Sequence, residues 1–353
     1  MSGVKNFHLK YEFVLLLSLY WSFNLKKVFW VETNTGIQSL RGLACLLVVY
    51  FHVVGSETTG LKLELDNGYR LIADFLIYLR MPLFTFLSGF VYYNYRFNGD
   101  FSKYFKGKAR RILIPMFVVG SLFAMIQSLV SSSNGGLSGY EWYEIYFYPF
   151  AHFWFLQSIF TIFLIVAMID WVSKRNDSVV LILALISVSV FLVSSSLPDF
   201  FSLNKTFYLF PFFLLGMISN ARNLKQLSLL RLLPVFIIFI SSLVVHILGV
   251  LDGSKEDRTG FLSLIIGLSG SITLLRLCFH INVLAYIGGF SYTIYLFHVF
   301  GTAAVRIILS KLGIDFLFIH VLLGVFAGVT FPIIVHFLFK NMRYFRTAML
   351  GLR

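Results

Sequence analysis

Residues 39–55 read SLRGLACLLVVYFHVVG, in which Arg41 and His52 bracket ten residues otherwise suited to the inside of a lipid bilayer. Eleven helical steps of about 100° leave a remainder near 20°, so the two side chains share one face, roughly 16 Å apart along the axis. At that separation they form no ion pair. Ionisable groups inside a membrane are costly and usually face a bundle interior, where they carry function. The pair is expected to mark two points on one polar route, Arg41 at one mouth and His52 toward the far side. Taken singly, each has a plainer reading: Arg41 snorkels to headgroup phosphates, and His52 donates to a nearby carbonyl in the core.

The remainder of the 353 residues agrees with a membrane setting. The chain is 58% hydrophobic and 18% aromatic but only 13% charged, with a mean hydropathy of +0.83. A soluble domain of this size needs more charge to cover its surface. The net charge of +13 lies between apolar runs and forms no single basic face, which excludes a nucleic-acid binder and points to membrane lipid as a partner. Cys45 and Cys278 both fall in apolar segments and read as small core residues.

A helix crosses a hydrocarbon core of roughly 30 Å in about 20 residues. Ten segments qualify: 38–55, 71–93, 111–130, 153–171, 178–196, 206–220, 232–251, 260–279, 283–303 and 316–339. The fold class expected is an all-α integral membrane bundle of about ten transmembrane helices, with an extra apolar segment before it. One domain covers 36–340, after an interfacial segment at 1–35 and before a basic tail at 341–353. Basic residues concentrate in alternate connections, above all Arg96, Lys103, Lys106, Lys108, Arg110 and Arg111, whereas Glu64, Asp66, Glu141 and Glu144 lie in the others. The positive-inside rule places the basic side, and both termini, in the cytoplasm. One connection departs mildly, because Arg306 and Lys311 fall outside. The stretch FVLLLSLYWSFN near the N-terminus is short for a span and lacks a cleavage site, so an interfacial helix is expected.

Four further stretches are distinctive: MPLFTFLSGF (81–90), the basic run ending in RRILIP (110–115), HFWFL (152–156) and GGFSYTIYLFH (288–298). Ser291, Tyr295 and His298 fall on a common helical stripe, with Tyr292 beside it. They suit a lining for a substrate path or interhelical hydrogen bonds. Ser88 and Gly89 permit close helix packing. Trp154 suits stacking on a sugar ring or an aromatic belt. No group of residues has metal-ligand spacing and no Gly-rich phosphate loop occurs, so no metal is expected.

Together with Arg41 and His52, these motifs make the chain resemble the acyltransferase-3 group of bacterial membrane proteins, which O-acylate envelope and secreted carbohydrates. The resemblance runs over roughly 36–340, and the MPLF form is similar to the polysaccharide and fucose-acetylase branch. It implies a bacterial inner-membrane O-acetyltransferase with no permanently bound cofactor, using cytoplasmic acetyl-CoA or another acyl-CoA as donor and a sugar hydroxyl as acceptor. It implies His52 as the catalytic residue with Arg41, and donor binding by Arg41, Lys106, Lys108, Arg110 and Arg111. Many relatives have R-x-x-R before the proline. Here the matching positions are Lys108 and Arg111, and lysine keeps the charge but loses the bidentate grip on phosphate. The polyanionic nucleotide is expected at the cytoplasmic mouth and the pantetheine arm within the bundle. Ser88, Trp154, Ser291, Tyr292, Tyr295 and His298 are expected along the substrate path. His52 could act as general base or carry the acyl group itself. Two alternatives stand beside this reading: an exporter of polysaccharide or lipid-linked sugar, and an O-succinyltransferase.

Overall fold

A computed structural model of the chain describes residues 35–56, 59–130, 141–254, 257–277 and 279–353. The apolar N-terminal stretch and Cys278 lie outside the described residues. Fourteen helices of eight or more residues organise the rest: α1 (Thr35–Val54), α2 (Gly68–Phe75), α3 (Ile77–Tyr93), α4 (Phe101–Lys108), α5 (Ile114–Leu129), α6 (Trp154–Val172), α7 (Asp177–Leu192), α8 (Leu203–Ala221), α9 (Leu229–Leu251), α10 (Phe261–Leu277), α11 (Asn282–Gly289), α12 (Ser291–Lys311), α13 (Leu317–Phe339) and α14 (Arg343–Leu350). A two-residue antiparallel pair, Gly55–Ser56 with Thr59–Gly60, follows α1.

Seven described helical stretches are long and apolar enough to cross a membrane. The α2–α3 pair, bent by 42°, makes an eighth, and α7 and α10 are shorter apolar helices. All ten expected segments are therefore helical, and the chain is an all-α membrane protein.

Three boundaries differ from the sequence expectation. The segment 71–93 is broken at Leu76 between α2 and α3. The basic run before residue 111 is not a loop but helix α4, started by Asp100, whose carboxylate accepts from the Ser102 amide at 2.7 Å. The segment 283–303 is split at Phe290 into α11 and α12, because Gly288 and Gly289 hold a helix poorly. The tail also does more than trail from the bundle: α14 folds back, buries Leu350, and sets Gly351 against the backbone of Arg111.

Two close helix contacts depend on the absence of a side chain. A Cβ on Gly42 of α1 would meet the carbonyl of Leu284, and one on Gly288 of α11 would meet the carbonyl of Gln38. A second reciprocal pair joins α3 to α8, where Gly89 faces the Phe213 carbonyl and Gly216 the Phe86 carbonyl. Small residues let backbones approach where lipid gives no hydrophobic drive for association. Gly89 thus has the packing part expected of it. On the perimeter, α9 leaves Leu230, Leu233, Ile237 and Leu248 exposed, as a helix facing hydrocarbon should.

Beneath α4 lies a buried ionic knot. Asp170 of α6 is fully buried and accepts from Arg96 Nε at 2.9 Å and from Tyr92 Oη at 2.7 Å. Arg96 also pairs with Asp177, and Arg175 Nε donates to the Phe97 carbonyl at 3.0 Å. These bonds fix the chain that leads into α4.

Candidate active site

Arg110 and Arg111 lie in a π-helical turn, Ala109–Leu113, between α4 and α5. Pro115 explains why. It has no N–H to give to the carbonyl four residues earlier, and its ring crowds that carbonyl. The carbonyl belongs to Arg111, and the Tyr292 hydroxyl of α12 donates to it at 2.6 Å. Pro115 deprives that carbonyl of its helical donor, and α12 supplies another. Wide turns of this kind recur at functional sites.

The expected donor-binding cations separate into two groups. Arg111 lies within electrostatic reach of both Arg41, in the N-terminal half of α1, and Lys108. Lys108 Nζ stands over the Phe163 ring, 3.3 Å from its centroid. Lys106 and Arg110 face the other way, into a surface pocket of about 500 Å³ shared with Lys103 and Arg353.

At the opposite end of α1, His52 meets two histidines from distant parts of the chain. Ring centroids lie 4.8 Å from His298 of α12 and 6.1 Å from His152, which precedes α6. His152 and His298 are 5.0 Å apart. Their backbone partners fix their tautomers, because a carbonyl only accepts. His298 Nδ1 lies 2.9 Å from both the Ile294 and Tyr295 carbonyls, so it bears the proton and Nε2 is the lone pair. His152 Nε2 donates to the Leu296 carbonyl at 3.3 Å, leaving Nδ1 as the lone pair. Both lone-pair nitrogens are buried without a hydrogen-bond partner among the described residues. The Tyr295 hydroxyl donates to the carbonyl of His152 and ties α12 to this turn. Burial, and next the adjoining His298, holds the His152 imidazole well below the ordinary histidine range. Arg80 of α3 stacks on Phe51, 3.5 Å from its centroid, and its charge reaches His52.

His52 and His152 open onto a cavity of about 480 Å³. Its walls are mainly apolar, from Leu61, Phe123, Ile126, Phe150 and Phe300, with Gln127, Thr302, Arg306 and His320 among them. The cavity does not reach Arg41. Along the stripe that joins Arg41 to His52, Cys45 and Val48 are packed and buried.

A family model described as an acyltransferase domain, of the acyltransferase-3 type, matches residues 34–337. The chain belongs to this acyltransferase family. No curated protein and no solved structure gives a significant match.

In this acyltransferase none of Ser88, Trp154, Ser291, Tyr292, Tyr295 and His298 lines the cavity. Ser88 bonds back to the Phe84 carbonyl within α3 at 3.0 Å, and Trp154 packs among the core aromatics beside Phe155. Ser291 begins α12, where the Cys45 thiol approaches its carbonyl at 3.9 Å. Tyr292 reaches the π turn, and Tyr295 and His298 stand behind the cavity floor. The physical reason is helix direction: α12 runs beside α1 from the cation cluster at Ser291 to the imidazoles at His298, and only its later residues, from Val299, reach the opening. Sequence reasoning passed over His152, Arg80 and Arg306. Each had a signal. His152 sits inside HFWFL, and Arg80 is an ionisable residue within an expected span. Arg306 was the exception to the charge asymmetry.

Proposed function

We propose that the protein is an O-acyltransferase, in the first instance an O-acetyltransferase, moving an acyl group from acyl-CoA at the cation-rich end to a carbohydrate hydroxyl in the cavity. The observation that supports this best is the gathering of His152 and His298 around His52, at the end of α1 opposite Arg41. The positive-inside rule favours a cytoplasmic donor side in a bacterial inner membrane.

Coenzyme A carries several phosphate charges. The outward pocket of Lys103, Lys106, Arg110 and Arg353 and the inward group of Arg41, Lys108 and Arg111 suit its nucleotide and the root of its arm. The interval at Cys45 and Val48 must open to admit the thioester. His52 then takes the proton of the acceptor hydroxyl while the oxygen attacks the thioester carbonyl carbon. The C–S bond breaks, and the imidazolium returns the proton to the departing thiolate. In a relay version the imidazole nitrogen takes the acyl group, CoA leaves, and the hydroxyl displaces the imidazole. In either version His298 Nε2 is suited to accept from His52 and set its free lone pair. His152 Nδ1 is suited to orient the acceptor hydroxyl. The Arg80 charge favours the oxyanion that develops on the carbonyl.

Purified protein in nanodiscs, given labelled acetyl-CoA and candidate glycans, tests the reading. Label should pass to one glycan with matching release of CoA, and His52→Ala should abolish transfer while expression holds. Undiminished transfer by His52→Ala would overturn it.

A further inference from the structure

His320 lies in the first turn of α13, is only 7% exposed, and lines the same cavity as His52 and His152. Its Nε2 stands 2.6 Å from the Ile314 carbonyl. A carbonyl only accepts, so Nε2 bears the proton and Nδ1 is a lone pair. That nitrogen is buried and has no hydrogen-bond partner among the described residues. Thr302 lines the cavity too, but its hydroxyl donates to the Val299 carbonyl at 3.2 Å. A buried acceptor without a donor is costly, and native structures rarely keep one idle. Two glycines place His320 relative to His52. A Cβ on Gly324 would meet Val53 and one on Gly328 would meet Val49, so α13 runs antiparallel to α1. One turn before Gly324, His320 stands about 6 Å beyond the level of Val53, on the side away from Arg41.

We infer that His320 determines which hydroxyl of the acceptor is modified: its Nδ1 accepts a hydrogen bond from a second hydroxyl of the same sugar ring while the first faces His52. This rests on the acyltransferase reading above and names a specificity-determining residue of that site. The ligand class is a ring that presents at least two hydroxyl donors. The hydroxyl held at His320 is spared, because it sits about one helical turn from the imidazole that takes part in transfer. An alcohol with a single hydroxyl would leave Nδ1 unpaired. A site built to bond a hydroxyl rejects the analogue that lacks it for that reason.

Nitrogen NMR tests this by binding, independently of turnover. Full-length protein carrying nitrogen-labelled histidine is placed in phosphatidylcholine nanodiscs, and the His320 Nδ1 resonance is assigned by its loss in His320→Gln. The probes are methyl glucoside, methyl galactoside and methyl mannoside, each with its monodeoxy analogues. At least one glycoside should move that resonance upfield, as acceptance of a hydrogen bond does. One of its monodeoxy analogues should leave the resonance in place, while the His152 signal still reports binding, about threefold to tenfold weaker. In acyl transfer, His320→Gln should raise the acceptor KM with KM for acyl-CoA unchanged, and His320→Ala should spread the acyl group over more than one hydroxyl. A histidine that merely holds the Ile314 carbonyl would lower Tm on replacement and show none of these effects. A resonance unmoved by every glycoside, equal shifts from all the deoxy analogues, or a single acyl position retained by His320→Ala overturns the inference. Because the titration needs no turnover, failed transfer by the wild type would undo the acyltransferase reading and leave the shifts standing, whereas unmoved shifts would leave that reading intact.

Discussion

The His52 and His298 rings meet edge to face, with centroids 4.8 Å apart and planes at 61°. His298 gives its Nδ1 proton to backbone carbonyls, so it faces the cluster as a base and not as a donor. It can therefore hold His52 in one tautomer without competing for the acceptor's proton.

His298→Ala should lower kcat for acyl transfer by about 10²-fold, with KM for acyl-CoA little changed, because a positioning group for a general base is lost and no donor contact is. His298→Gln, which keeps an acceptor atom, should recover part of kcat. A change confined to KM would contradict the role.

His152 supplies a pH signature. Its folded pKa lies below the ordinary histidine value, so the unfolded chain takes up a proton first as the pH falls through about 6.5. The stability that neutral His152 contributes is complete above that pH and declines below it. The Tm difference between wild type and His152→Gln should be constant from pH 7 to 8 and shrink by pH 5. A constant difference throughout would refute it.

Tyr292→Phe should orphan the Arg111 carbonyl that Pro115 leaves without a backbone partner. The expected cost is about 0.5–1.5 kcal/mol, seen as a lower Tm and a raised KM for acyl-CoA. Adding Pro115→Ala restores a backbone donor and should reduce the loss. The double-mutant cycle measures the coupling, and additive effects would show that the two residues act separately.

Asp170→Ala should strip Arg96 of its buried partner. Arg96 keeps Asp177 as a partner while the Tyr92 hydroxyl loses its acceptor, so the cost should fall below the about 3–5 kcal/mol of a buried charge left alone, and the variant should unfold at a lower temperature. Asp177→Ala, at an exposed carboxylate, should cost about 1 kcal/mol or less.

Arg41→Gln should raise KM for acyl-CoA and weaken its dependence on ionic strength, while acceptor affinity stays level. An effect on the acceptor alone would place Arg41 elsewhere in the mechanism.

The ten helical segments and the spacing of Arg41 to His52 were legible in the sequence, because apolar length and helical phase are local properties. The meeting of His52, His152 and His298 was not. It depends on how α1, α12 and the turn before α6 stand against one another, and that is fixed by contacts such as Gly42 on Leu284 and Tyr295 on His152. The break at Phe290 lies within a motif that reads as one continuous helix, so Ser291 reads as interior although it starts α12. Arg306 was visible only as an exception in the charge count. Its place in the cavity wall follows from the length of α12, which runs eight residues beyond the segment expected to end at 303.

The packed interval at Cys45 and Val48 has a consequence for the cell and not only for the reaction. A bundle bored open from Arg41 to His52 would let protons and small ions run down their gradients. With that stretch closed at rest, the enzyme can sit in an energised membrane without discharging it, and any opening for the thioester has to be brief enough to stay tight.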